Sequence, residues 1–442
     1  MDLIGGDLKK LYLKFLCASF GSALISSIYG IVDMAMVGRY HGPDGSAAMA
    51  VIAPVWNIVY GFGLLIGIGG SVLYGVMRGT GGEERRANGY FTASVIFGGV
   101  ISAVLLIVLL LWEEPLLRFF GADDKLLPLC KAYLTLPKVT APIYVFMNII
   151  SAFLRNDSSP GLATKAVIAG GVFNIFGDYF FVFTLDMGIK GAGIATAMGA
   201  AVSVLIMLSH FFSKKNTLRL VRVHNLPGKL VRISSSGLCS FIVDVAMGVL
   251  TVLFNRQIMK YLDSDALAVY GVIVTVSTLV QCCAYGVGQA AQPIISQNYG
   301  AKKPERIRKM LGYCTLTAAI VGVIWSAAFM AIPNVFINLF MKPTESVLAV
   351  APGMIRVYAL SFILLPFNVY STYHFQAILR PKVAMTVSVA RGIVISGALI
   401  MLLPAVLGGS AVWWAMPVTE ALVAAYVIFS LIKENKKEKI PG

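Results

Sequence analysis

The chain has 442 residues, of which 58% are hydrophobic and only 13% charged, and its mean hydropathy is +0.80. Soluble domains carry about 25% charged residues, so this chain lacks the polar surface needed to cover a soluble core of its size. The net charge of +15 does not point to nucleic acid: the positives sit in short connections between apolar runs, which is the topology signal of a membrane protein.

Twelve apolar spans follow one another, at about 11–38, 47–77, 89–112, 128–153, 163–184, 189–212, 232–258, 264–297, 310–333, 348–377, 383–406 and 410–433. Each is long enough for a hydrocarbon core of about 30 Å. Several are longer than that needs, so they should tilt, bend or protrude. Pro137 and Pro142 in the fourth span and Pro366 in the tenth are expected kinks. The N-terminus runs almost directly into the first span, with no cleavable signal standing apart from it. The expected fold is an all-α integral membrane protein.

The first span carries Asp33 within Ser-Ser-Ile-Tyr-Gly-Ile-Val-Asp-Met-Ala-Met-Val-Gly-Arg-Tyr, residues 26–40. A carboxylate at mid-span costs about 2.5–3.5 kcal/mol on insertion scales, and such a residue usually faces a cavity, a cation or a proton. The competing reading places Asp33 near the helix end, hydrated, with Arg39 and His41 close behind. In the fifth span Asn174 and Asp178 stand four residues apart and share one helix face. A buried hydrogen-bonded pair between two helices is the plain alternative there.

With both termini on one side of the membrane, most Lys and Arg of the connections fall on that same side, which places both termini in the cytoplasm. The longest basic connection holds Lys214, Lys215, Arg219, Arg222, Lys229 and Arg232 and divides the chain near its midpoint. The expected organisation is an N-terminal six-helix bundle (1–212), a cytoplasmic basic linker (213–231) lying against anionic lipid headgroups, a C-terminal six-helix bundle (232–433) and a cytoplasmic tail (434–442). The halves repeat at an offset of 221 residues: Asp44 falls on Asp265, Gly67 on Gly288, Gly79 on Gly300, Glu84 on Glu305 and Arg85 on Arg306. Each half has an even number of spans, so the repeat is parallel, with an axis along the membrane normal. Two such bundles around a central cavity make the architecture of an alternating-access carrier.

At these residues the chain resembles the multidrug and toxic compound extrusion (MATE) transporters of the MOP flippase superfamily, over essentially its whole length. The resemblance rests on Val-Asp-Met-Ala-Met-Val-Gly-Arg-Tyr (32–40), on Gly-Ile-Gly-Gly (67–70), and above all on Gly-Gln-Ala-Ala-Gln-Pro-Ile-Ile-Ser-Gln-Asn-Tyr-Gly-Ala-Lys-Lys (288–303). Asn-Ile-Phe-Gly-Asp (174–178) is similar to the DinF-like branch. There the resemblance implies a polar cluster in the N-terminal bundle, matched here by Asp33, Asn174, Asp178 and Thr196. Its oxygens suit a hard cation such as Na⁺, and two neighbouring carboxylates can instead share a proton. Tyr29, one turn before Asp33, matches a cavity position of the family. The NorM-like branch has acids in the seventh and tenth spans. Asp244 answers to the first as a secondary acid, but Asn368 stands near the second and cannot titrate.

Met147, Asn148, Gln281 and Arg356 are further candidates for the substrate cavity, and Gly30 and Gly38, flanking Asp33, for a hinge. Arg391 and Glu420 read as structural, and the six cysteines as reduced packing thiols. There is no P-loop and no metalloprotease His pair, so an enzyme is not expected; neither is a cofactor or a stable protein partner.

The resulting expectation is a monomeric, multi-pass plasma-membrane antiporter. It exports amphipathic, cationic drugs and toxic compounds by alternating access, driven by H⁺ or Na⁺. Neutralising the acid pair would let the first helix bend and expel the substrate. Apolar, aromatic and Met-rich walls would accommodate many shapes. The alternative is a lipid-linked oligosaccharide flippase of the same superfamily, supported by Lys138, Arg356 and Arg391 as cations for a diphosphate. A negative cavity favours drug export and a positive one the flippase.

Overall fold

The computed structural model describes residues 2–82, 84–341 and 343–438, so the end of the expected tail, 439–442, lies outside the described residues. Among these there is no strand, and the helices account for nearly everything.

The first helix, α1 (Leu8–Gly79), has 72 residues. At about 1.5 Å per residue that is more than three times the hydrocarbon thickness. It is broken once, at Gly42, whose φ of 65° and ψ of −148° belong to a region only glycine enters cheaply. Pro43 follows and cannot supply the N–H that would bridge the break. Around it His41 Nε2 accepts from the backbone N–H of Ile189 at 3.0 Å, and the Tyr40 hydroxyl donates to Asp186 at 2.5 Å. The two limbs are the first two expected spans. With that division, the eleven helices that are long and apolar enough give twelve spans among the described residues.

The other elements follow in order: α2 (Glu84–Leu111), two short helices α3 (Glu113–Phe119) and α4 (Leu127–Leu134), then α5 (Pro137–Asn156). Next come α6 (Pro160–Asp178), which runs on as a π-helical turn over Tyr179–Thr184, α7 (Gly188–Leu208), α8 (Leu226–Tyr261), α9 (Ser264–Gly300) and α10 (Pro304–Ala331). Last are α11 (Pro333–Phe340), α12 (Glu345–Ala359), α13 (Ser361–Ala377), α14 (Pro381–Val389), a second π-helical turn (Ala390–Val394), α15 (Ile395–Leu407) and α16 (Ala415–Glu438). Proline opens α5, α6, α10, α11 and α14, where its missing N–H costs nothing. Pro137 therefore does more than kink the fourth span: it starts a new helix after α4 has ended. Pro142 and Pro366 lie inside α5 and α13.

The apolar surface faces outward. Along α2, Val100, Val104, Ile107 and Leu111 are exposed at helical spacing, and Gly98, Ser102, Leu105 and Leu109 on the other face are buried. Water would not tolerate that stripe; lipid solvates it, and the helices satisfy their own backbone groups as a bilayer requires.

The chain forms two compact units. One comprises the chain up to Phe241 together with Ser296–Lys302; the other comprises Ile242–Ile295 and the chain from Lys303. In the first unit α6 packs on α7, and α1 on α5 and α6; in the second, α13 packs on α10 and α16.

The basic connection is tied to the first unit by buried polar groups. Asp157 accepts from the Thr217 backbone N–H at 3.0 Å and from the Thr217 hydroxyl, and pairs with Arg78 at 3.1 Å and with His210 Nε2 at 2.7 Å. Further along, Asn88 Oδ1 accepts from Arg219 N–H at 2.9 Å and Thr92 from Val221 N–H at 3.0 Å, and the Lys229 ammonium stands 3.8 Å from the centre of the Tyr90 ring. A segment outside regular secondary structure, 216–223, needs such partners for its backbone.

Candidate functional site

The site is made by a close approach of α6 and α7. A Cβ added at Gly170 would stand 2.4 Å from the carbonyl oxygen of Gly199, and one at Gly199 2.7 Å from that of Gly170. Small residues let the two backbones touch. One turn along from that contact on each helix lie Asn174 and Thr196, and Asn174 Nδ2 donates to Thr196 Oγ1 at 3.1 Å. Thr196 in turn donates to Asp33 Oδ2 at 3.4 Å. The first limb of α1, α6 and α7 thus bring Asp33, Asn174 and Thr196 into one hydrogen-bonded chain.

Asp178, one turn beyond Asn174, is fully buried and within electrostatic range of Asp33. It is the last residue before the π-helical turn, a local defect that often accompanies functional sites. Four carboxylate and amide oxygens here are buried without a hydrogen-bond partner among the described residues: Asp33 Oδ1, Asn174 Oδ1 and both oxygens of Asp178. Each such group costs about 1–3 kcal/mol when left unsatisfied. Nothing in the local chain relieves them. A bound proton or a small cation with oxygen preference would.

A fifth member, Tyr133 on the short helix α4, carries no signal in the sequence. Its hydroxyl donates to Asp33 Oδ2 at 3.0 Å and lies 3.4 Å from Thr196 Oγ1. Tyr144 on α5 donates to the Thr196 backbone carbonyl at 2.7 Å.

Beside the cluster a small pocket opens within the first unit, walled by Tyr29, Tyr144, Met147, Gly170 and Ala200, with Asn174 and Thr196 on its polar side. Its wall is aromatic and aliphatic, and its polar side bears carboxamide and hydroxyl groups next to the acid pair.

The MatE family model matches residues 18–180 and again 239–402. The chain belongs to the MatE family. The family pattern is thus present twice, once in each half. Among curated relatives, the multidrug export protein MepA of Staphylococcus saprophyticus is 23% identical over 429 residues, covering 95% of this chain and 94% of its own. MepA of Staphylococcus aureus is 22% identical over 417 residues, covering 93% and 91%. Among solved structures, a multidrug resistance MATE transporter described in an outward-facing conformation superposes with a TM-score of 0.92 at 21% identity, covering 99% of this chain and 98% of that one. A MOP superfamily transporter from Pyrococcus furiosus, whose binding pocket is described as reversed in polarity, gives 0.90 at 20% identity, with 99% and 98% covered. These establish the twelve-span fold, and the chain is a MATE family transporter rather than an enzyme.

Within this MATE transporter the other sequence-derived positions fall as follows. Tyr29 and Met147 line the cavity. Asn148 donates to the Tyr144 carbonyl at 3.1 Å and packs against Gly63. Gln281 is in the second unit, where it accepts from Arg391 at 3.1 Å. Arg356 is exposed and donates to the Met330 carbonyl at 3.3 Å. Asp244 is buried in the second unit and accepts from the Tyr285 hydroxyl at 2.9 Å, with its other oxygen unpartnered. Gly30 and Gly38 are both helical, and the break in α1 lies beyond them at Gly42. Among the described residues no three His, Cys, Asp or Glu cluster as metal ligands, so an ion here would rest on two carboxylates with amide and hydroxyl oxygens.

Proposed function

We propose that the protein is a cation-coupled antiporter that exports amphipathic, cationic compounds across the plasma membrane by alternating access, with Asp33, Asn174, Asp178 and Thr196 as its coupling site for H⁺ or Na⁺. One observation carries this reading: four buried oxygens of that cluster lack partners among the described residues, and they lie beside the pocket lined by Tyr29, Tyr144 and Met147. The multidrug-exporting relatives support the substrate class.

In the cycle, the acid pair, when ionised, favours a cationic substrate from behind the Asn174 and Thr196 side of the pocket. A proton or Na⁺ then takes the unpartnered oxygens and neutralises the pair, and the substrate loses its counter-charge. Tyr133 and Thr196 hold Asp33 Oδ2 and leave Oδ1 for the cation. Asn174 couples the acid on α1 to α6, so a change of charge reaches two helices at once. The π-helical turn after Asp178 and the break at Gly42 are the places where those helices can adjust. Both termini are assigned to the cytoplasm.

The flippase alternative drew on Lys138, Arg356 and Arg391. Lys138 is paired with Glu113 at 2.7 Å, Arg391 with Glu420 at 2.7 Å, and Arg356 is exposed. None of them lines the cavity of the first unit.

The test is efflux of a fluorescent cationic dye from cells expressing wild type, Asp33→Asn or Asp178→Asn at matched membrane levels, each with a Na⁺ gradient, a proton gradient or neither. Efflux that needs both aspartates and collapses with one gradient supports the reading and names the ion. Variants that transport as well as wild type would make the cluster mere packing.

A further inference from the structure

The repeat allows the two units to be compared position by position. Pro160 and Pro381 open α6 and α14, so Arg391 falls on Gly170. In the last helix of each half, the buried positions 191–193, 195, 199, 200, 203 and 207 recur as 411–413, 415, 419, 420, 423 and 427, a register one residue short of the 221-residue offset, so Glu420 falls on Ala200. Gly170 and Ala200 both wall the cavity of the first unit. In the second unit these two positions carry a cation and an anion.

The pair is well built. Arg391 Nε donates to Glu420 Oε1 at 2.7 Å and Nη2 to Gln281 Oε1 at 3.1 Å. Asn368 Nδ2 donates to Glu420 Oε2 at 2.6 Å and to the Glu420 carbonyl at 2.9 Å. Glu420 is fully buried and Arg391 is 9% exposed. Arg391 sits in the second π-helical turn, in the helix that repeats α6. Asn368 Oδ1 and Gln281 Nε2, the remaining polar atoms around the pair, are buried without partners among the described residues.

We propose that the second unit contains a cation site built on Glu420, Asn368 and Gln281, and that the side chain of Arg391 fills it permanently as a tethered guanidinium. The first unit carries no side chain at the Gly170 position, where α6 and α7 approach backbone to backbone. The second supplies its own cation, which cannot leave. Emptied of that side chain, the site takes a free monovalent cation of the guanidinium class, because planar N–H donors match a carboxylate and an amide oxygen together. The consequence for transport, that this pair does not exchange during the cycle, rests on the antiport reading above; the site itself does not.

The experiment is thermal unfolding of the purified protein with increasing methylguanidinium chloride, against choline chloride at equal ionic strength. Arg391→Gly, which copies Gly170, should melt well below wild type, and methylguanidinium should restore most of the loss in a saturable way. Wild type and Arg391→Gly/Glu420→Gln should not respond. A melting point for Arg391→Gly equal to wild type, no response to methylguanidinium, or an equal response in the double variant would each overturn the proposal. If Arg391→Gly does not accumulate in the membrane, Arg391→Gly/Glu420→Ala, which copies both residues of the first unit, decides. The proposal predicts that it accumulates and exports dye, since no unpaired charge remains; its loss would make the ion pair simple packing and refute the site.

Discussion

Asp178→Asn should make the protein more stable and inactive at once. Asp178 is fully buried, and neither of its oxygens has a hydrogen-bond partner among the described residues. The substitution keeps the volume, removes a charge within range of Asp33, and puts a neutral amide where a carboxylate without partners stood. Relieving an unsatisfied buried group is worth about 1–3 kcal/mol. For a body of 150–250 residues, close to the size of the first unit, each kcal/mol moves the melting midpoint by about 2–4 °C. The assay is thermal unfolding of purified protein in Na⁺-free buffer above neutral pH, with dye efflux measured in parallel. The midpoint should rise by several degrees while efflux falls to background. Wild type, but not the variant, should gain about 2.7 kcal/mol when the coupling cation is present at 100 times its Kd. A lower midpoint in the variant, or unchanged efflux, would refute the view that Asp178 is held in a destabilised state for use.

Glu420→Gln should do the opposite, because Glu420 is fully partnered and its loss strands the Arg391 charge: stability should drop by about 3–5 kcal/mol, read in the same melts. Thr196→Val removes the hydroxyl between Asp33 and Asn174 at nearly constant shape. Losing a hydrogen bond of about 1–1.5 kcal/mol should weaken cation dependence of efflux roughly tenfold while leaving expression near wild type. Gly42→Ala places a side chain at a φ of 65° and should cost about 1–3 kcal/mol in strain, measured as a lower melting midpoint and a lower yield of folded protein. Ala200→Leu should fill the cavity beside the acid cluster, abolishing dye efflux while the cation still stabilises the protein in melts.

What could be read ahead of the structure had strong local or periodic signals. The apolar runs, the offset of 221 residues and a carboxylate in an apolar span are all properties of neighbouring residues. Asn174 and Asp178 share a face by spacing alone. Tyr133 could not be found this way: it lies 100 residues from Asp33, on a separate short helix, and is one of 18 tyrosines. The break in α1 had a signal in the sequence, the Gly42-Pro43 pair. The basic connection's charges stand out in composition, but its anchoring depends on Asp157 and Asn88, far away in the chain. The Arg391–Glu420 pair joins residues from different helices, and only the fold reveals that they replace a glycine and an alanine of the other half.

The most direct test of the coupling site is to add a cationic dye to purified protein and measure what leaves, using ²²Na⁺ release and a pH indicator side by side. The account predicts stoichiometric release of one of the two cations on dye binding, lost in both Asp33→Asn and Asp178→Asn. Dye that binds with unchanged affinity while neither cation is released would contradict it.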